Sequence, residues 1–311
     1  RNNIMPRRPR LGEKITKRTT SEIVGRDTEF EVFKDSLDRT IKLSKQKNVP
    51  DEEWVYPHVF LITGLGGMGK TTLLDSFMAY ATTKKVVTAT IDADQLSIVS
   101  AETFMQKLHD KISAQNKEDH KLFTLYRDAL TERDDALTSI KEQSVEPKTK
   151  FEPLVNTGAK AIGAWTGPAA PVTEEIVKLV VNNGATGIKN IADNLRQIGQ
   201  ISQKQHTLIR DLSTVSENFM NCLANIGEKR VLVIAIDTYE KLDTIHGFDK
   251  WFREQLIGDS SSEIIWIIAG RETNKFITRY KETLGEERYL ASMSLTKLTK
   301  SQIKIYLENK A

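Results

Sequence analysis

The chain has 311 residues, of which 39% are hydrophobic and 28% charged, so it is long enough to bury a core and is not a low-complexity chain. Its net charge of +3 gives no reason to expect nucleic-acid binding through overall charge. A single cysteine, Cys222, excludes an internal disulfide, and the five scattered histidines show no zinc-ligand spacing. We expect a cytoplasmic protein with no membrane association, because neither a signal peptide nor an apolar run of ~20 residues is visible.

The N-terminal segment 1–22 carries many Arg and Lys residues and two acids, Glu13 and Glu22. This composition predicts a basic, solvated linker; the alternative is an arm that contacts phosphate or an acid-rich partner. The segment 28–45 follows with apolar residues at helical spacing, which predicts the first helix.

Short apolar runs at 58–63, 86–91, 231–236 and 264–269, and a last one starting at 289, predict five strands. Most of these runs are continuous rather than alternating, which is typical of strands buried on both faces of a parallel sheet. Helical patterns between them predict an α/β fold with a central parallel sheet flanked by helices.

Two helical regions extend this domain, which we expect to span 23–311. The charged stretch 101–228 predicts a large helical insertion, with a solvated hairpin as its expected form. Helical spacing after 296 predicts the start of a C-terminal helical subdomain over about 293–311.

A glycine-rich loop joins the first strand to the next helix and matches the pattern G-x-x-x-x-G-K-T. Its glycines let backbone N–H groups turn toward phosphate oxygens, and the helix N-terminus adds positive potential. Lys70 is expected to reach the β- and γ-phosphates, the Thr71 hydroxyl to bind Mg²⁺, and Thr72 to reach the α-phosphate. The pattern therefore predicts binding of ATP or ADP with Mg²⁺ by Gly64, Leu65, Gly66, Gly67, Met68, Gly69, Lys70, Thr71 and Thr72.

The apolar run 231–236 ends in Asp237, an acid expected at the carboxyl end of a strand. In a P-loop protein such an acid holds Mg²⁺ beside the phosphates. Glu240 is the candidate general base or water-orienting residue; its alternative is an exposed acid at the start of a helix.

Arg271 follows the buried run 264–269 and is a candidate sensor of the γ-phosphate. The alternative is a surface salt bridge to Glu272 or Glu287. The proposed catalytic set is therefore Lys70, Asp237, Glu240 and Arg271, with Thr71 and Asp237 as metal-binding residues.

Taken together, Val24-Gly25-Arg26-Asp27, the loop with Thr72-Leu73, the segment 236–240 and Ala269-Gly270-Arg271 resemble the STAND class of AAA+-related signalling ATPases, including NB-ARC and NACHT proteins. The resemblance implies that Val24 contacts adenine through its backbone, that Gly25 lies beside it, and that Arg26 holds the nucleotide or the closed state. It also implies a parallel sheet with the P-loop strand central. Thr238 departs from the pattern, because many P-loop ATPases have a second acid there, and this predicts slow hydrolysis.

The same resemblance implies a switch in which ADP holds a closed monomer and ATP, with a trigger that we expect to be a protein, favours a homo-oligomer. Fused effector and sensor domains outside this chain would supply the output, in anti-phage or innate immune defence. Three alternatives remain: an AAA+-type DNA-associated ATPase, favoured by the basic arm; a nucleotide-bound scaffold without hydrolysis; and, last, a small-molecule kinase.

Overall fold

A computed structural model describes residues 24–115, 117–143, 212–271, 276–284 and 287–308, together with Arg196. The basic segment 1–22 and the middle of the predicted insertion lie outside these residues. Within the described ranges no helix is both long and apolar enough to cross a bilayer.

Five parallel strands form one sheet in the order β2-β3-β4-β1-β5. Their bounds are β1 Val59–Thr63, β2 Val87–Asp92, β3 Leu232–Asp237, β4 Ile264–Gly270 and β5 Leu290–Ser294. The prediction of a parallel sheet is confirmed. The P-loop strand β1 lies between β4 and β5 and is therefore an interior strand next to the edge. The resemblance had implied a central position, which is wrong for this sheet.

Burial along each strand follows its place in the sheet. Every residue of β1, β3 and β4 is buried, whereas the edge strand β2 alternates between buried and half-buried residues and β5 is buried only at Leu290 and Met293. Continuous apolar sequence therefore marks strands that are covered on both faces.

Helices cover both faces of the sheet. The α-helices are α1 Asp27–Leu43, α2 Lys70–Thr83, α3 Ala101–Ser113, α4 Lys117–Leu122, α5 Thr124–Gln143, α6 Ser213–Gly227, α7 Glu240–Asp243, α8 Phe248–Trp251, α9 Phe276–Leu284 and α10 Lys300–Glu308. Short 3₁₀ turns occupy Asp51–Trp54 and Glu287–Tyr289, and a π-helical turn, Phe252–Ile257, continues α8.

One face of the sheet is covered by α1 and α2. Phe33 of α1 stacks on Phe77 of α2 with ring centroids 4.3 Å apart, and both side chains are fully buried. A buried side chain of this size stabilises the fold by roughly 1.5–3 kcal/mol, so this contact helps to fix α2 on the sheet. Because the P-loop leads directly into α2, the same packing positions the loop.

The other face is covered by helices from both ends of the stretch 101–228. Phe104 of α3, Tyr126 of α5 and Phe219 of α6 belong to the same buried cluster as the β3 residues Ile234 and Ile236. The expectation of a solvated hairpin is therefore wrong for these helices. Their charged residues cover the outer side of an apolar face that packs on the sheet.

The last helix, α10, has no buried residue, and Ile303, Ile305 and Leu307 are exposed on it. It approaches the start of the domain through Gln302, whose side chain lies beside Gly25. That this helix starts a C-terminal helical subdomain stays a prediction.

Candidate nucleotide-binding site

The P-loop connects the carboxyl end of β1 to the first turn of α2. Gly64, Gly67 and Gly69 have φ angles of +150°, +78° and +87°, a region that other residues rarely adopt. A Cβ on Gly64 would lie only 2.8 Å from the carbonyl oxygen of Leu295. Glycine is therefore needed at Gly64 for the backbone path of this loop.

Lys70 lies at the mouth of this loop. Its Nζ donates to the carbonyl oxygens of Gly64 at 2.9 Å and Leu65 at 3.0 Å. Lysine has three donors on a flexible stem, so it can exchange these bonds for phosphate oxygens without moving its backbone. Thr72, in the same first turn of α2, is exposed beside the loop.

Thr71 and Asp237 meet at the point where a Mg²⁺ ion is expected. The Thr71 hydroxyl donates to Oδ2 of Asp237 at 2.6 Å, and Oδ1 of Asp237 accepts from the backbone N–H of Thr238 at 2.8 Å. Hydroxyl and carboxylate oxygens are ligands that Mg²⁺ prefers, usually with retained waters, so this pair fits the ion. The two residues lie 166 positions apart in sequence, and the fold brings them together.

The electrostatics of this edge favour a cation. Desolvation and, secondarily, the negative charge of Asp237 raise the pKa of the Asp75 carboxyl, which lies one helical turn beyond Thr71. A divalent ion between Thr71 and Asp237 would relieve this repulsion.

Thr238 adopts the left-handed conformation, with φ of +58°. This conformation costs a residue other than glycine roughly 1–2 kcal/mol, and such strain often occurs at functional sites. The strained turn carries the chain from Asp237, at the end of β3, to Glu240, at the start of α7.

Glu240 and Arg271, the candidate base and the candidate sensor, are paired with each other. Oε1 of Glu240 lies 3.3 Å from Nε of Arg271, and Oε2 accepts from the Arg271 backbone N–H at 3.0 Å. A Cβ placed on Gly66 would lie 3.7 Å from Nη2 of Arg271, so the guanidinium also borders the P-loop. The partner of Arg271 is therefore Glu240 rather than Glu287, and Glu272 lies outside the described residues.

Arg26 ties the N-terminal segment to the P-loop. Its Nη2 donates to the carbonyl oxygens of Met68 at 3.4 Å and Thr296 at 2.5 Å. Gly25 has φ of +73° and lies against Gln302, and Val24 is half-buried. Arg26 thus joins the loop to the segment that precedes α10; a direct contact of Val24 or Gly25 with a nucleotide stays a prediction.

Comparison with known protein families gives a match to the KAP family P-loop domain over residues 38–246, more than half of the chain. The chain belongs to the KAP family. The match includes the P-loop, Asp237 and Glu240, and it runs through the helical stretch 101–228. Membership in this family supports nucleotide binding, usually with Mg²⁺. The match does not show that the chain is a STAND, NB-ARC or NACHT protein.

The KAP domain also resembles the Orc1 protein of Aeropyrum pernix, whose structure was determined in complex with DNA. The TM-score is 0.40 at 14% sequence identity, with 94% of this chain and 50% of the Orc1 chain covered. The chain thus spans half the length of that protein, and we draw no conclusion from so distant a similarity. Curated proteins gave no match.

Two buried residues of the KAP domain that lie behind Glu240 were given no role from the sequence. Tyr239 follows the strained turn directly, and Asp249 lies in the short helix α8 and accepts a hydrogen bond from Tyr239. No spacing rule marks them. The only signal is an aromatic residue adjacent to the acid at the end of β3.

Proposed function

We propose that this KAP domain is an ATP-binding, slowly hydrolysing switch of the STAND type, in which the triphosphate favours a homo-oligomer. The observation that carries the proposal is the Glu240–Arg271 pair at the edge of the P-loop. The γ-phosphate of ATP would offer Arg271 a stronger partner than Glu240, and ADP lacks that group.

The energy of this exchange is large enough to bias a conformational equilibrium. Hydrogen bonds to charged groups contribute about 1.5–3 kcal/mol, whereas an ion pair as exposed as Glu240–Arg271 contributes about 1 kcal/mol or less. A ligand shifts a conformational equilibrium only by its difference in affinity between the two states. A net difference of ~1–2 kcal/mol between ATP and ADP would shift the populations by roughly 5- to 30-fold.

Hydrolysis would proceed at the same site. Mg²⁺ between Thr71 and Asp237 would neutralise charge on the phosphates, and Glu240, once released from Arg271, would orient the attacking water. The slow rate would follow from two features: Thr238 stands where a second acid is common, and Glu240 is paired with Arg271.

The rest of the proposal comes from the sequence resemblance to STAND proteins. It includes a trigger, which we infer to be a protein, and effector and sensor domains outside this chain. A role in anti-phage or innate immune defence rests on that resemblance alone.

The proposal is tested by nucleotide-dependent size analysis of the full-length protein, as wild type and Lys70→Ala, with ADP, ATP and a non-hydrolysable ATP analogue. We expect a larger assembly only with the triphosphates, and its loss in Lys70→Ala. A particle of one size in every nucleotide that hydrolyses ATP rapidly would contradict a switch.

The basic segment 1–22 specifically favours the second candidate, a DNA-associated ATPase. Salt-sensitive binding of duplex DNA that is lost when residues 1–22 are deleted would support that function.

A further inference from the structure

The helix that carries Glu240 is too short to hold its own orientation. α7 has only 4 residues, Glu240–Asp243, and an isolated turn of helix is not stable in water. Its geometry must therefore be fixed by side chains that anchor it to neighbouring elements.

Tyr239 anchors the start of this helix. Its side chain is 1% exposed, its hydroxyl donates to Oδ1 of Asp249 at 2.9 Å, and its backbone N–H donates to the carbonyl oxygen of Ala269 at 3.0 Å. The backbone bond fixes this residue to β4, and the hydroxyl bond fixes it to α8. The residue adjacent to Glu240 is thus held from two directions.

Asp249, which is buried, is the centre of an ionic cluster with the half-buried residues Asp243, Arg253 and Arg279. Its Oδ2 lies 2.9 Å from Nε of Arg253 and 3.0 Å from Nη1 of Arg279. Arg279 also donates to both carboxylate oxygens of Asp243, the last residue of α7, at 3.1 Å and 3.0 Å. The cluster therefore anchors both ends of α7 to α8, the π-helical turn and α9.

Stability is a weak reason for such a cluster. Replacing buried ion pairs with apolar side chains is often neutral or stabilising, because desolvation offsets the attraction between the charges. Charged hydrogen bonds do impose direction, since a carboxylate and a planar guanidinium fit in few arrangements. The hydrogen bonds of this cluster therefore fix the orientation of α7.

We propose that Tyr239 and Asp249 are positioning residues that hold Glu240 at the edge of the P-loop through α7. The inference rests on the proposed hydrolysis at this site and extends it to residues outside the nucleotide pocket. Neither residue touches the P-loop; each acts through Glu240.

The test is the variant Tyr239→Phe in the full-length protein. It removes one hydroxyl and retains the ring, whose centroid lies 5.6 Å from that of Phe252 and 5.4 Å from that of Phe276. We expect kcat to fall by about 10- to 100-fold, the range for small misplacements of a catalytic group. The affinity for MgATP should change by less than about twofold, because Lys70 and Thr71 are untouched.

Tyr126→Phe is the matched control. Its hydroxyl is also buried on this face of the sheet, and among the described residues it has no hydrogen-bond partner. Removing it should leave kcat unchanged. If Tyr239→Phe does not fold, Asp243→Asn loosens the other end of α7 and should lower kcat without changing the affinity for MgATP.

A double-mutant cycle with Glu240→Gln decides whether Tyr239 acts through Glu240. We expect single-turnover hydrolysis by the double variant to equal that of Glu240→Gln alone. Equal losses from Tyr239→Phe in both backgrounds, or no loss in either, would overturn the inference, as would a wild type that hydrolyses no ATP. Assembly with the non-hydrolysable analogue is measured separately from hydrolysis. Absence of assembly would contradict the switch, whereas an unchanged kcat in Tyr239→Phe would contradict the positioning role.

Discussion

Replacing Arg271 with alanine should lower the preference for ATP over ADP and leave the stability of the fold almost unchanged. The Arg271 side chain is 69% exposed and that of Glu240 20%, so solvent screens their ion pair. Exposed pairs of this kind contribute about 1 kcal/mol or less, which for a domain of this size corresponds to a melting shift of roughly 2–4 °C at most. The variant should therefore fold almost as well as the wild type.

The affinity for triphosphate should change far more. If Arg271 donates to the γ-phosphate, its loss removes charged hydrogen bonds of about 1.5–3 kcal/mol, offset by up to about 1 kcal/mol because Glu240 no longer has to be released. Binding of a non-hydrolysable ATP analogue should weaken by roughly 2- to 150-fold, and ADP binding should be almost unchanged. Equilibrium titrations with both nucleotides in Mg²⁺ measure this ratio.

Lys241→Ala is the control for a general charge effect. Lys241 lies next to Glu240, is 60% exposed and pairs with Asp94 at 3.3 Å, so its removal changes the net charge equally. The sensing role would be refuted if Arg271→Ala kept the wild-type preference for ATP over ADP. It would also be refuted if Lys241→Ala lowered that preference as much as Arg271→Ala does.

Three further changes test other parts of the account. Thr238→Asn should raise the free energy of unfolding in urea by up to about 1 kcal/mol, because asparagine tolerates positive φ better than a β-branched residue; a decrease would contradict the strain assigned to this turn. Arg26→Gln should weaken ATP and ADP binding alike, by about 1–3 kcal/mol in calorimetric titrations, because the P-loop carbonyl of Met68 loses its charged donor; unchanged binding would remove Arg26 from the site. Phe219→Ala should cost about 3–5 kcal/mol and lower the melting temperature of the whole domain, as followed by circular dichroism with and without MgATP. A wild-type melting curve for that variant would mean that α6 is not part of the core.

The P-loop could be predicted from sequence because its chemistry depends on local spacing. Glycines at positive φ, a lysine and a threonine at the first turn of α2 all lie within nine consecutive residues. Asp237 was predictable for a similar reason, since a buried strand that ends in an acid is visible as a continuous apolar run. Both features are fixed by neighbours in the chain.

The Glu240–Arg271 pair depends instead on tertiary structure. The two residues are 31 positions apart and meet because β3 and β4 are adjacent and parallel. The sequence predicts a separate role toward the nucleotide for each residue, whereas the structure pairs them with each other. The role of Arg271 as a sensor stays a prediction.

The stretch 101–228 was misjudged because its outer surface dominates its composition. The helices α3 and α5 carry many charges, yet Phe104 and Tyr126 on them are buried in the same cluster as Phe219 of α6. Charge density averaged along a helix hides such an apolar face, whereas its period reveals it.

The most direct measurement of the central claim is the Mg²⁺ dependence of nucleotide binding in wild type, Thr71→Ser and Thr71→Val. Serine keeps the hydroxyl that donates to Asp237, and valine replaces it with a methyl group of similar size. We expect Thr71→Ser to bind a non-hydrolysable ATP analogue more tightly with Mg²⁺ than without, as the wild type does, and Thr71→Val to lose that gain. Equal Mg²⁺ dependence in all three proteins would contradict a metal site at Thr71 and Asp237.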